Sequence, residues 1–381
     1  MRILIAPDKF KGSLSASAVA ENIARGLAHV LPQAKIDILP LADGGEGTAE
    51  VICAAIRGSW VHCPAHDPLG REIDARYAWS DNRKLAVMEM SEAAGMRRVA
   101  ERDPLRATTF GLGEMILDAV KRGARDTIIG LGGSATNDGG FGMACALGFR
   151  FFSGANELSG PVVDLVKLTK IQRPQEVVGA LGAASAQSKE RRLIQPPLQR
   201  AWPKIIAAVD VQNPLLGENG ATRVYGPQKG ATPDKIDSLE KALIRLADVT
   251  ARDLGVDFRD RPGAGAAGGL GFGLMSFCGA TVRPGFDVVA EAVDLEAKMR
   301  DVDIVITGEG KLDRQTLSGK TPAGVARLAG RLGKRVLAIV GCASEEGEAR
   351  KMFEAVYELG GTISEAPRLL REKAAELAKT L

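Results

Sequence analysis

The sequence predicts an α/β fold in which a parallel-sheet, Rossmann-like domain is interrupted by a large inserted α/β domain. Three observations predict it. The chain has 381 residues, more than one hydrophobic core usually serves. Its first sixty residues alternate short apolar runs with helical stretches, the rhythm of parallel β/α units. The same rhythm returns from about Asp301 after a long segment of different patterning. A β/α/β/α start standing alone would leave an open parallel sheet half covered, so the C-terminal segment is read as completing the first domain. The boundaries expected are 1–62 with 286–381 for the interrupted domain and 63–285 for the insertion.

Taken in order, Ile3-Leu-Ile-Ala6 is a strand, 15–31 a helix, Ile36-Asp-Ile-Leu-Pro-Leu41 a second strand and 47–56 a second helix. Alternating stretches at Ile73-Asp-Ala-Arg-Tyr-Ala-Trp79 and Leu85-Ala-Val-Met-Glu-Met90 then suggest a hairpin or a sheet of another kind. A helix near 109–122 and a strand Thr127-Ile-Ile-Gly-Leu131 lead into glycines. The stretch 154–203, rich in Pro, Gly, Gln and basic residues, carries no clear pattern and is read as peripheral. The returning rhythm comprises Val302-Asp-Ile-Val-Ile-Thr307, a helix over 321–332, the strand Arg335-Val-Leu-Ala-Ile-Val340 and an amphipathic helix from about Glu365. No internal repeat or heptad run is visible.

Composition excludes several function classes. Fifty Lys+Arg against 47 Asp+Glu leave a net charge of +3, too small for the electrostatic footprint of a nucleic-acid binder. Aromatic residues, at 4%, are too sparse for a base-stacking platform. No run approaches the length that spans a bilayer, and the N-terminus reads as a first strand rather than a signal peptide. Five scattered cysteines fit a reducing compartment, so the expected location is the cytoplasm. His62, Cys63 and His66 lack the paired spacing of a zinc motif and are read as loop residues beside a strand. The expected partner is a small molecule, without nucleic acid or membrane, and a homodimer is compatible with the sequence.

The 45 glycines are well above average usage, and they cluster. Four segments stand out: Asp43-Gly-Gly-Glu-Gly-Thr48, Gly130 through Gly140, Gly263-Ala-Gly-Ala-Ala-Gly-Gly-Leu-Gly271 and Thr307-Gly-Glu-Gly-Lys-Leu-Asp313. Glycine lets backbone approach a ligand and turn N–H groups toward an anion. The second segment lies between a strand and a helix, where Gly132, Gly133, Ser134, Thr136 and Asn137 can cradle phosphate and Asp138 can hold Mg²⁺. The third matches Gly-x-Gly-x-x-Gly, but Asp260-Arg-Pro262 precedes it in place of a strand, so a dinucleotide fingerprint fails in context. It is read either as a phosphate-approaching loop through Gly265, Gly268 and Gly269 or as tight packing of small residues. Ser318-Gly-Lys-Thr321 resembles the end of a Walker A loop without its first glycine, which leaves Lys320 as a phosphate-binding cation or a solvated lysine. In the first loop Asp8, Lys11, Ser13 and Ser15 crowd a helix start, with Asp43 and Glu46 expected beside them. Asp210, ending an apolar strand and followed by Asn213-Pro214, is a Mg²⁺ ligand, a base or a turn residue. Phosphoryl transfer needs cations and N–H groups around phosphates, carboxylates for Mg²⁺ and a carboxylate to take a proton, and these loops supply that set.

Together the segments resemble the bacterial glycerate kinase family typified by glycerate 2-kinase. The matching stretches are Ala6-Pro-Asp-Lys-Phe-Lys-Gly-Ser-Leu-Ser15, 42–48, 130–140, Asn213-Pro-Leu with Tyr225-Gly-Pro-Gln-Lys-Gly-Ala231, 262–269, and Ile306-Thr-Gly-Glu-Gly310 with Asp313, Gln315, Gly319 and Lys320. The resemblance implies ATP, Mg²⁺ and D-glycerate, an active site in the cleft between two α/β domains, and 2-phosphoglycerate as the usual product. Lys9 departs from the family, which commonly has serine there. On this reading Asp43 is the preferred base, and Lys11 and Asp210 are further catalytic groups. Asp8, Ser13, Glu46 and Lys320 bind substrate; Gly132, Gly133, Ser134, Thr136, Asn137, Gly265, Gly268 and Gly269 hold ATP; Asp138 and Asp210 support Mg²⁺. Transfer to the 3-hydroxyl or to a related hydroxy acid is the runner-up. A nicotinamide-dependent oxidoreductase and a small-acid sensor stand further off.

Overall fold

The computed structural model describes residues 1–174, 202–313, 316–317, 320–344 and 347–381. Much of the unpatterned 154–203 stretch, with Gln315 and Gly319, therefore lies outside the described residues. The chain forms two compact units, Met1–Ser59 with Arg283–Leu381, and Trp60–Val282. Both are mixed α/β, and parallel strand pairs occur in each.

The first unit contains a five-stranded sheet in the order Ala355–Glu358, Arg335–Val340, Ile304–Thr307, Arg2–Ile5 and Lys35–Ile38, with every neighbouring pair parallel. The central strands are short β-branched and leucine runs buried on both faces, as parallel sheets demand. From Arg2–Ile5 the chain moves outward to Lys35–Ile38, while the strands after residue 300 build away on the other side. The order therefore reverses between Arg2–Ile5 and Ile304–Thr307, and in open α/β sheets the crevice beyond such a reversal receives ligands.

Two helices cover one face. Ala16–Val30 begins at Ser15, whose hydroxyl accepts the Ala18 N–H, and Ile23 and Leu27 join Ile3, Ile5, Ile304, Ile306 and Leu337 in a core. Leu370, Ala374 and Leu377 of Ala366–Ala378 close that core. The helices meet at Gly26, where an added Cβ would stand 2.3 Å from the Arg371 carbonyl oxygen and 2.7 Å from Ala374 Cβ. The strand Ala355–Glu358, which sequence patterning does not single out, is only half-buried along its length. Edge strands carry weaker apolar alternation for that reason.

In the second unit six strands run in the order Thr281–Pro284, Lys204–Val209, Asp126–Gly130, Leu85–Glu89, Glu72–Ser80 and Ser59–His66. Leu85–Glu89 is the hinge of this mixed sheet: it pairs antiparallel with Glu72–Ser80 and parallel with Asp126–Gly130. The expected hairpin is thus an antiparallel pair inside a larger sheet, with Ser59–His66 beyond it at the edge. His62 and His66 lie within Ser59–His66 rather than in a loop, and each is paired with a carboxylate, His62 with Asp74 at 2.6 Å and His66 with Glu114 at 2.9 Å. The 22-residue helix Pro233–Leu254, not singled out above, supplies Leu239, Leu243 and Leu246 to a core shared with Phe141, Leu270 and Ile205. Among the described residues no helix is long and apolar enough to cross a membrane.

Gly26→Ala should lower the unfolding free energy of the first unit by about 1–3 kcal/mol, since overpacking a close helix contact forces the backbones apart. Urea denaturation followed by circular dichroism would measure it.

Candidate active site

In the first unit the loops beyond the carboxyl ends of the sheet gather six of the predicted residues. Asp8 follows Arg2–Ile5 and is held in register when its N–H donates to the Gly308 carbonyl at 2.9 Å. Its carboxylate is buried, Oδ2 accepting the Thr321 hydroxyl at 2.6 Å and Oδ1 the Lys9 N–H at 2.7 Å. Lys9 Nζ donates to the Glu46 carbonyl, so the residue that departs from the family motif ties the first loop to the second. Asp43 is half-buried, and its Oδ1 accepts the Gly45 N–H at 3.2 Å. Gly285 lies against this turn so closely that a Cβ would fall 1.8 Å from the Asp43 carbonyl oxygen. Lys11 and Glu46 are exposed, Lys320 caps the helix Thr321–Arg331, and the Ser13 hydroxyl donates to the Ile363 carbonyl at 3.3 Å.

One residue the sequence reading quoted but assigned no role joins them. Glu309 follows Ile304–Thr307 and is only 8% exposed. Its Oε1 accepts the Thr316 hydroxyl at 2.6 Å. Burial pushes the Glu309 carboxyl up to about 7, with Asp8 and Asp313 adding to the rise and Thr316 and Lys320 opposing it. Burial likewise pushes Asp8 up to about 6, with the neighbouring Asp43 charge adding to it and Thr321 and Lys9 opposing. Acidic groups with raised affinity for protons, set at the strand-order reversal, have the character of a reaction centre. The signal for Glu309 was present in Thr-Gly-Glu-Gly at a strand end, but nothing in the local pattern says that the side chain is buried beside Asp8.

The second unit holds the long glycine segment. Asp138 does not suit a metal. It is 1% exposed, and its oxygens accept the Thr109 N–H and hydroxyl at 2.8 Å each and the Gly140 and Gly142 N–H groups at 3.1 Å. Four donors occupy the lone-pair positions a cation would need, so Asp138 braces the loop onto the helices Phe110–Lys121 and Phe141–Ala146. Thr136 and Asn137 are wholly buried. The Thr136 carbonyl accepts Lys229 Nζ at 2.7 Å and Asn137 Nδ2 donates to Thr222 Oγ1 at 3.0 Å, while Thr136 Oγ1 and Asn137 Oδ1 are buried with no hydrogen-bond partner among the described residues. Lys229, also without an assigned role from sequence, is buried to 2% exposure, and burial brings its ammonium down to about 7 with Asp138 opposing.

Gly265, Gly268 and Gly269 lie where a side chain could not. A Cβ on Gly265 would sit 2.2 Å from the Pro214 carbonyl oxygen, on Gly268 2.0 Å from that of Thr136, and on Gly269 2.9 Å from Gly139 Cα. The Gly268 carbonyl accepts the Gly139 N–H at 3.0 Å. These glycines let one glycine loop pack on the other. The part of the 130–140 segment that reaches the surface is Gly132 and Gly133, with Ser134 buried beside them. Asp210 is exposed just beyond Lys204–Val209. Among the described residues no group of three or more His, Cys, Asp or Glu side chains could hold a metal by itself; Mg²⁺ commonly takes one or two carboxylates and completes its shell with water and substrate phosphate, a demand Asp210 fits and Asp138 does not.

Residues 3–381 match the glycerate kinase family. The chain belongs to that family. Similarity to curated members is extensive: 42% identity over 349 residues to "Glycerate 2-kinase" of Escherichia coli K12, covering 91% of this chain and 86% of that protein, and 40% over 373 residues to "Glycerate kinase" of Halalkalibacterium halodurans, covering 97% and 91%. A crystal structure of a Salmonella typhimurium LT2 protein superposes with a TM-score of 0.85 at 41% identity, over 100% of this chain and 98% of that one. Membership of the glycerate kinase family makes the chain a phosphotransferase.

In the unfolded chain Glu309 releases its proton near 4.5 and in the folded unit near 7. Folding therefore takes up a proton between these values, and the contribution of this group to stability falls as pH rises through that window. Glu309→Gln keeps the acceptor for Thr316 and removes the ionisation. It should be more stable than the parent above pH 7 by ~1–3 kcal/mol and show no such gain below pH 4.5, as thermal melts across pH would reveal.

Proposed function

We propose that the chain transfers the γ-phosphoryl group of ATP to the 2-hydroxyl of D-glycerate, releasing ADP and 2-phospho-D-glycerate. The observation that carries this reading is the joining of Asp8, Asp43 and Glu309 with the cations Lys11 and Lys320 at the strand-order reversal of one unit. Family membership and the "Glycerate 2-kinase" relative support the acceptor and the position.

In the step itself the glycerate hydroxyl oxygen bonds to the γ-phosphorus as the bond to the β,γ-bridging oxygen breaks, and the hydroxyl proton passes to a carboxylate. Asp43 is assigned that proton, because it is half-exposed where Asp8 and Glu309 are buried behind hydroxyl partners. Asp8 and Glu309 act behind it, their charge raising the basicity of the cluster. Lys11 and Lys320 attract the glycerate carboxylate and the transferring group, and Ser13 and Glu46 contribute to the rim. Gly132, Gly133 and Ser134 offer a turn to the nucleotide phosphates. Mg²⁺ would be held by Asp210 together with those phosphates and would neutralise charge developing on them.

Phosphorus NMR of the protein with Mg-ATP and D-glycerate should show a new phosphomonoester resonance at the position of 2-phosphoglycerate. A 3-phosphoglycerate resonance would move the transfer to the other hydroxyl, and intact ATP would reject glycerate as acceptor. Asp43→Asn should lower kcat by about 10²–10⁴-fold with ATP affinity retained; near-parental turnover would remove Asp43 from the mechanism.

A further inference from the structure

Within Trp60–Val282, Arg76, Glu92, Arg97 and Arg98 line an open polar pocket of about 310 Å³, a volume near the lower end of small-molecule sites. Its walls bring three guanidinium groups to one carboxylate, a formal charge of +2. Glu92 is the buried centre. Arg97 Nη2 lies 2.5 Å from Oε1, Arg98 Nη2 2.8 Å from Oε2 and Arg76 Nε 3.7 Å from Oε1.

The guanidinium groups are fixed rather than trailing in solvent. Arg97 Nε donates to the Ser91 carbonyl at 3.3 Å and Arg98 Nε to that of Glu92 at 2.7 Å. Arg76 stacks over Trp60 with its guanidinium carbon 4.3 Å from the ring centroid. Three guanidinium groups held in fixed directions at one pocket offer several N–H donors, and arginine forks match phosphate oxygens.

The segment that carries Arg97 and Arg98 is tied to the glycine turn. Met96 N–H donates to the Gly133 carbonyl at 2.9 Å, and Gly95 forms an antiparallel bridge with Ser134. Ser91 lies beneath Gly133, where an added Cβ would stand 3.5 Å from Ser91 Cβ. The Ser91 hydroxyl, 3% exposed, has no hydrogen-bond partner among the described residues. Unpaired buried hydroxyls are costly unless a ligand or water meets them.

We propose that Arg76, Arg97 and Arg98, organised by Glu92 and adjoining the 132–134 turn, bind the polyphosphate chain of the nucleotide. Identification of the anion as the ATP phosphates rests on the kinase reading above; the polyphosphate chemistry of the pocket does not. Calorimetric titration of the full chain with ATP, adenosine and inorganic tripolyphosphate tests it. Arg98→Gln, and separately Arg76→Gln at a half-exposed position, should each weaken ATP and tripolyphosphate about 10- to 100-fold and leave adenosine affinity and the melting temperature near those of the parent. Parental affinity for both anions in a folded variant, or no tripolyphosphate binding by the parent, would overturn the inference. Weakened tripolyphosphate binding in the variants of a protein that fails to phosphorylate glycerate would sink the kinase reading and leave the pocket standing.

Discussion

Charge withdrawn from water has to be satisfied where it stands, and the two units of this chain meet that requirement in opposite ways. Asp138 is surrounded by four donors and becomes a structural post for the glycine loop. Asp8 and Glu309 receive fewer bonds and lie close enough to other carboxylates to feel their charge, so burial and repulsion raise their proton affinity. Burial raises the proton affinity of Asp138 as well, with its four hydrogen bonds opposing the rise, so what distinguishes Asp8 and Glu309 is the other carboxylates beside them.

Parallel strand topology explains why the under-compensated carboxylates meet. Arg2–Ile5 and Ile304–Thr307 are separated by about 300 positions in sequence yet pair in register, Ile5 against Ile306. The residues that follow them, Asp8 and Glu309, then emerge on the same edge of the sheet. Thr321, at the start of the next helix, reaches Asp8 from that edge, and Thr316 reaches Glu309. The Thr321–Asp8 contact spans 313 positions, whereas Thr316–Glu309 spans seven.

Glycine in this chain does two kinds of work that look alike in sequence. At Gly268 and Gly269, where φ is +71° and +88°, the absence of a side chain lets backbone lie on backbone. Gly132 and Gly133 instead reach the surface beside an arginine-rich pocket. In the third glycine segment the approach of Gly268 to the Thr136 carbonyl is packing of the first kind.

By itself, the sequence determined the alternation of strands and helices, the interruption of one pattern by another, and the motifs that carry the family resemblance, because these are local periodicities and short strings of residues. It also marked Asp8, Asp43 and the 130–140 segment as chemically dense. Tertiary structure alone decided which of those groups are buried and what meets them. Asp138 and Asp210 read alike as carboxylates for Mg²⁺, but one is enclosed by donors from Thr109, Gly140 and Gly142 while the other is exposed. Glu309, Lys229 and the Arg76, Arg97 and Arg98 cluster escaped assignment for the same reason: burial and charge proximity arise from contacts between distant segments, which no local pattern encodes.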